Sequence, residues 1–306
     1  APAAEGPLEH GPRVGRGAHG PAVEPDESLQ GGGRAHVGDG HDPVDVAEEC
    51  RRILPVVERI YQWHFDHERY LRNVAPLARV AVLHSEQTET YHAGVAPGDR
   101  ADDHVLGMYH ALIEARVPFE LVHEAFLTPD RLDQFRLLIL ADAAALSDAQ
   151  CDAIRGYVKR GGSLLATFAS SLFDEFGQRR NDFGLADVFG VSFDGRIHGP
   201  MQNSYLTLET DPATGRRHPI LDGLDDTPRI INGVFRIGVK PTETFPSPLT
   251  LIPSYPDLPM EDVYPRVTRT EVRELYLRTV GGSRIVYIPW DIDRTFWDVL
   301  CVDHGL

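Results

Sequence analysis

Cysteine is scarce in this chain, with 3 among 306 residues, at Cys50, Cys151 and Cys301. They are odd in number, far apart and without C-x-x-C spacing. That excludes a disulfide framework and a cysteine-built zinc site, and it fits a reducing cytoplasm. Long apolar runs are missing too: no stretch approaches ~18 residues, so no membrane-spanning helix is expected. The first residues lack a basic segment followed by an apolar core, so no secretory leader is expected. Positive charge is in deficit, with 30 Lys+Arg against 46 Asp+Glu and a formal net charge of −16. Nucleic acid needs a basic footprint, and this balance disfavours it as a partner. Neither G-x-G-x-x-G nor G-x-x-x-x-G-K-[ST] occurs, and the glycine-rich "GRGAHG" follows no strand, so no nucleotide cofactor is expected.

What is present divides into three stretches. Residues 1–43 are crowded with Gly and Pro and hold few large apolar side chains. They cannot bury enough surface to offset ordering entropy, and disorder is expected. Their histidines, His10, His19, His36 and His41, are too irregularly spaced to make a metal tract. Composition changes abruptly near residue 44. Residues 44–75 form a linker with a helical pattern, in which Ile53, Val56, Val57, Ile60 and Tyr61 recur at steps of three and four. Pro55 predicts a kink or restart in that helix. His64 and His67, three apart beside Asp66, are a possible ligand pair, but a solvated helix face is the better reading.

Residues 76–306 alternate β and α. Strands are predicted at 79–85, 119–124, 136–142 and 163–169. A helix between the first two places Val105, Met108, Tyr109, Leu112 and Ile113 on one face. A helix after Ser147 opens on a Ser147/Gln150 capping box and stops at Gly161. Short apolar strands separated by helices predict an α/β fold with a doubly wound, mostly parallel sheet. Beyond about residue 195 the pattern turns β-rich, with strands at 203–210, 229–239 and 249–255 and a close strand pair joined at Gly281-Gly282. The strand at 284–289 is apolar throughout and reads as central. The segment 245–265, rich in Pro and aromatics, suits either an interface loop or a cover over the sheet.

The segments "NVAPLARVAVLHSEQTETYHAG" (73–94), "HVLGMYHALIEARVPFELV" (104–122), "LLILADAAALSDAQCDAIRGYVKRGGSLLATFASSLFDEFGQRRNDFGLADVFGV" (137–191) and "IPWDIDRTFWDVLCVDHG" (288–305) carry a family likeness. In order, across roughly residues 45–306, they resemble the trimerisation domain of family-42 β-galactosidases. The resemblance implies a flavodoxin-like fold related to class I glutamine amidotransferases. It also implies a position after a catalytic (β/α)8 barrel, with the helix at 45–72 at the junction. The role implied is non-catalytic: homo-oligomerisation, as a trimer, with carbohydrate met only through the barrel. Trp290 stands where the family pattern has a small residue.

The barrel is not in this chain, because a barrel needs eight βα units and about four are present before the β-rich part. The remaining candidates sit after strands. In "SLLATFASSLFDEFG" (163–177), Ser170 and Ser171 follow a strand, as a nucleophile would at a strand-to-helix elbow. Phe168, Ala169, Leu172 and Phe173 crowd that turn, and no cysteine stands near it. Cys151 is in register with Ile154 and Val158 and reads as a small core hydrophobe. Asp174, Glu175, Asp291 and Asp293, with Arg294, fall at the carboxyl edge of the sheet, where open α/β folds bind ligands. The plainer reading is that the acids cap helices and pair with Arg179, Arg180 and Arg294. No catalytic residue and no metal site is assigned. Ser170, Ser171, Asp174, Asp291, Asp293 and Arg294 form a candidate ligand rim. The competing reading, a small-molecule-binding or amidotransferase-like hydrolase, requires a pocket at this rim with a converging histidine.

Overall fold

The computed structural model describes residues 43–72, 76–92, 94, 100–259 and 261–304. Residues 1–42, with the predicted disorder and the histidines His10, His19, His36 and His41, lie outside the described residues. The chain divides into two units, residues 1–74 and 75–306.

In the first unit, α1 (Pro43–Asp66) is followed by α2 (Glu68–Leu71). α1 runs through Pro55 without the predicted restart. Its apolar residues Ile53, Leu54, Val56, Ile60 and Tyr61 are exposed. His64 and His67 lie on a solvated helix face, as expected: His64 is exposed, and the His67 ring stacks on Trp63 at 4.4 Å with its Nδ1 2.7 Å from the Trp63 carbonyl.

The second unit begins β1 (Val80–His84), α3 (Ala101–Glu114), β2 (Phe119–His123), α4 (Pro129–Leu132), β3 (Leu137–Leu140), α5 (Asp148–Lys159) and β4 (Ser163–Thr167). It continues α6 (Ala186–Phe189), β5 (Val191–His198), β6 (Tyr205–Leu208), β7 (Arg229–Ile231), β8 (Arg236–Pro241), β9 (Leu249–Ile252), β10 (Tyr276–Val280), β11 (Ser283–Ile288) and α7 (Ile292–His304). The main sheet has six strands in the order β10-β11-β4-β3-β1-β2. All neighbours are parallel except the β10–β11 hairpin, which turns at Gly281 and Gly282.

The apolar strand runs reflect burial on both faces. Alternate residues Leu83, Leu138, Leu140, Leu164, Ala166, Ile285 and Tyr287 join one core with Ile154, Tyr157 and Val158 of α5. Val286 and Ile288, pointing to the other face, join a second core with Leu206 and Leu208 of β6 and Leu249 and Leu251 of β9. Each such leucine, fully buried, contributes ~1.5–3 kcal/mol before entropy is subtracted. α5 is punctuated as predicted: the Ser147 hydroxyl accepts from the Gln150 N–H at 3.2 Å, the Gln150 side chain accepts from the Ser147 N–H at 2.7 Å, and Gly161 takes φ +106° beyond the last turn.

The β-rich part departs from its prediction. The single strand predicted at 229–239 is two strands in different sheets: β7 joins β6 and β9, and β8 pairs with β5. The break is chemical. Asn232 accepts from the Gly233 N–H at 2.9 Å and donates to Ser204 at 3.1 Å, turning the backbone out of the ladder. The predicted inner face of α3 is also rotated. Ala101, His104 and Gly107 are the buried positions, while Tyr109 and Ile113 are 36% and 49% exposed.

Candidate functional site

The chain passes from β1 outward to β2 and then back across to β3, so the strand order reverses between β1 and β3. In open α/β sheets that reversal opens a crevice at the carboxyl ends, where ligands bind. Here the crevice is filled. Between Ser85 and Thr88 after β1 and Ala141, Asp142 and Ala143 after β3, the enclosed space is about 10 Å³, room for one water at most. Hydroxyls stitch it shut: Thr88 Oγ1 donates to Ser85 Oγ at 2.9 Å and accepts from the Ala145 N–H at 3.0 Å.

Next to it lies a buried charge cluster built from four elements. His104 of α3 places Nδ1 2.7 Å from Asp293 Oδ1 at the start of α7, and Nε2 3.7 Å from Asp142 Oδ2 beyond β3. Thr167, the last residue of β4, donates to Asp293 Oδ2 at 2.6 Å and accepts from the Asp142 N–H at 3.0 Å. Asp142 Oδ1 accepts from the Ala169 N–H at 3.0 Å. Phe168 stacks on the His104 ring, centroids 5.4 Å apart. Burial alone would depress the imidazole pKa, but the charges of Asp293 and Asp142 and the hydrogen bond outweigh it and hold it at about 10. Gly107 makes room, because a Cβ there would lie 1.9 Å from the Asp293 carbonyl oxygen.

The candidate rim residues are placed around this cluster, and most are consumed by the fold. Ser170 is buried and its hydroxyl faces the carbonyls of Thr167 at 2.7 Å and Leu140 at 3.1 Å. Ser171, also buried, accepts from the Leu185 N–H at 3.1 Å. Neither hydroxyl meets a histidine among the described residues. Two residues after β4 are left-handed, Phe168 at φ +48° and Ser171 at φ +65°; the first carries no nucleophile, and the hydroxyl of the second is buried against the Leu185 N–H. Asp174 caps no helix; it accepts from the N–H groups of Phe176 and Gln178 at 3.0 and 2.8 Å in a local turn away from the cluster. Arg180 pairs with Asp148 at 2.6 Å rather than with Asp174 or Glu175. Asp291 accepts from the Phe235 N–H at 3.1 Å, and Arg294 stands 3.6 Å from it. Burial pushes the Asp291 carboxyl up to about 6, partly opposed by that backbone hydrogen bond and by His104.

The structure therefore gathers Ser170, Asp291, Asp293 and Arg294 and leaves Asp174 apart. It adds three residues that sequence reasoning missed: His104, Asp142 and Thr167. A usable signal existed, since Asp142 and Thr167 end two strand runs, and Ala101, His104 and Gly107 recur at steps of three on one helix. A histidine does converge on the rim, but into packed side chains and not into an open pocket.

A second buried pair lies in the β-rich part. Arg236 Nε is 2.6 Å from Glu274 Oε1, both nearly inaccessible. Burial pushes Glu274 up to about 7 even against the attraction of Arg236. Trp290 donates its indole N–H to the Glu274 carbonyl at 3.1 Å and packs in the second core, which is how a large residue is accommodated there. A roomier cavity of about 650 Å³ opens at one end of β6 and β9, where Glu209 takes Thr250 at 2.6 Å and Arg269 at 3.3 Å. Arg217 is held by the carbonyls of Leu224 and Asp225.

No family model and no curated protein matches the chain. Solved structures do. The β-galactosidase from Bacillus circulans sp. alkalophilus is 14% identical with a TM-score of 0.56, over 78% of this chain and 32% of that one. Alpha-L-fucosidase isoenzyme 2 from Paenibacillus thiaminolyticus is 17% identical with a TM-score of 0.54, over 79% and 33%. Gan42B, a GH42 β-galactosidase, is 15% identical with a TM-score of 0.51, over 75% and 30%. At such identities the likeness is one of fold. The chain spans about a third of the length of these glycoside hydrolases, so it matches a part of each.

Proposed function

We propose that this chain is a non-catalytic, flavodoxin-like assembly module of a β-galactosidase-like glycoside hydrolase, that it associates with copies of itself as a trimer, and that it positions a catalytic barrel carried outside this sequence. The observation that carries the proposal is the filled carboxyl edge. The crevice at the strand reversal has room for about one water, and the hydroxyls, the imidazole and the carboxylates around it are engaged with one another. A hydrolase needs a nucleophile or acid–base pair within reach of a bound substrate, and none of these groups is within reach of one. The partial coverage of GH42 β-galactosidases supports the choice of parent.

Light scattering coupled to size exclusion, with a chromogenic β-galactoside assay on the same fractions, tests both halves. The expected result is a trimer without turnover. A strict monomer at high concentration removes the assembly role, and turnover that co-purifies with the chain removes the non-catalytic one.

A further inference from the structure

We propose that the ring of contacts through His104 is an alkaline-labile lock: a protonated imidazole fastens the last helix, α7, to the carboxyl edge of the sheet, and loss of its proton frees that helix before the rest of the unit unfolds.

The charge state follows from geometry. Both ring nitrogens face carboxylates, Nδ1 towards Asp293 and Nε2 towards Asp142. A neutral imidazole carries a single N–H and would turn a lone pair on one of the two acids; only the imidazolium offers a proton to each. The ring then closes. The Asp142 N–H donates to Thr167, Thr167 donates to Asp293, and His104 lies between Asp293 and the Asp142 side chain. Losing the ring proton leaves two carboxylates buried around a neutral group, which is strongly unfavourable.

Release falls on α7 because of how that helix is anchored. Over residues 292–299, Asp293 is the one buried position; Ile292 and residues 294–297 are half-buried, and Asp298 and Val299 are exposed. Within that span a charged residue, not an apolar one, is the deepest point of attachment. β11, by contrast, is held by Ile285 and Tyr287 in the main core. The ionisable groups facing His104 are Asp293 and Asp291 at the start of α7 and Asp142 beyond β3. Arg294 stands over Asp291, and behind Phe168 is Tyr287 of β11, whose hydroxyl donates to the Phe168 carbonyl at 2.6 Å. Burial holds the Tyr287 phenol well above its ordinary range, so it does not titrate ahead of the lock.

Trp297 on α7 reports on release. The full chain is labelled with 5-fluorotryptophan and ring-labelled histidine, and the Trp297 fluorine and His104 nitrogen signals are assigned with W297F and H104Q. At pH 8 both His104 nitrogens are expected to be protonated. The Trp297 resonance is expected to move to its solvent-exposed position with a midpoint near pH 10, while the circular dichroism of the sheet persists. A neutral His104 tautomer at pH 8 overturns the proposal. So does a Trp297 signal that stays put to the point of global unfolding, or one that moves with the same midpoint in H104Q. Should H104Q fail to fold, His104 is assigned from the folded chain by its contact with Phe168, and the nitrogen measurement decides alone.

Discussion

The two buried charge clusters of the second unit make an instructive pair. At the carboxyl edge, His104 is ringed by Asp293, Asp142 and Thr167; three hydrogen bonds and one longer charge contact, 3.7 Å from His104 Nε2 to Asp142, complete the circuit. In the β-rich part, Arg236 and Glu274 face each other at 2.6 Å, with Tyr276 beside them. The cations differ in one decisive respect. An imidazole can give up its proton when its partner is lost, whereas a guanidinium cannot. The His104 cluster can therefore fail softly, by neutralising, and the Arg236 cluster cannot.

The largest expected effect follows from that difference. Glu274→Leu leaves a buried guanidinium without a counter-charge and is expected to cost about 3–5 kcal/mol of stability. Arg236→Met combined with Glu274→Leu removes both charges and is expected to recover most of the loss. Urea denaturation of the three proteins measures it; a double variant no better than the single one would show that packing, not charge, dominates there. Asp293→Asn at the other cluster is expected to cost less, about 1.5–3 kcal/mol, the loss of a hydrogen bond to a charged group, because His104 then deprotonates near neutral pH.

Stability against pH separates the clusters by sign and window. His104 has a folded-state pKa of about 10, above its ordinary 6.5. The stability it supplies is complete below pH ~6.5 and is lost as pH rises through about 10. Glu274 and Asp291 are also raised, to about 7 and about 6. Their protonated forms favour the fold below the ordinary carboxylate range, and that contribution is lost as pH rises through those values. Two descending limbs are expected, one ending near neutrality and one near pH 10. Asp293→Asn should shift the alkaline limb towards neutral pH and leave the other in place, which denaturation series at stepped pH would show.

The same contrast governs what the sequence made legible. The parallel half reads well because its inner strands are apolar and buried and α5 is punctuated at Ser147, Gln150 and Gly161. The β-rich half reads poorly because its strands belong to three sheets and its breaks depend on tertiary partners. Asn232 ends a strand only because Ser204 is there to receive it. The strand Val191–His198 was not predicted at all; it is pinned by pairing with β8, a partner more than 35 residues downstream. In the site, the edge acids Asp291 and Asp293 are found by position, but Asp142 and His104 are not. A histidine on a helix shows its partners only when residues 142 and 293 are brought beside it. The rotation of α3 has the same cause, since a glycine and a charge, and not the apolar residues, face α7.

Gly107→Ala probes that rotation at intermediate strength. The added methyl meets the Asp293 backbone carbonyl, so α3 and α7 must separate, at an expected cost of about 1–3 kcal/mol. It should also lengthen the His104–Asp293 contact and lower the alkaline midpoint, whereas a purely steric loss would leave that midpoint unchanged.

The smallest expected effect belongs to Ser170, the strand-end serine placed as a nucleophile would be. Ser170 donates within the fold to the Thr167 and Leu140 carbonyls, both backbone groups at the ends of neighbouring strands. Ser170→Ala removes one hydroxyl, and the nearer of its two acceptors keeps another donor: Thr167 O accepts from the Ser170 N–H at 3.2 Å. The net loss expected is about 1 kcal/mol, with the His104 midpoint and the state of association unchanged. A serine that carried chemistry would behave in the opposite way, with little change in stability and complete loss of any turnover. Thermal denaturation beside light scattering on this one variant therefore distinguishes a strand-end hydroxyl spent on the backbone from one held ready for a substrate.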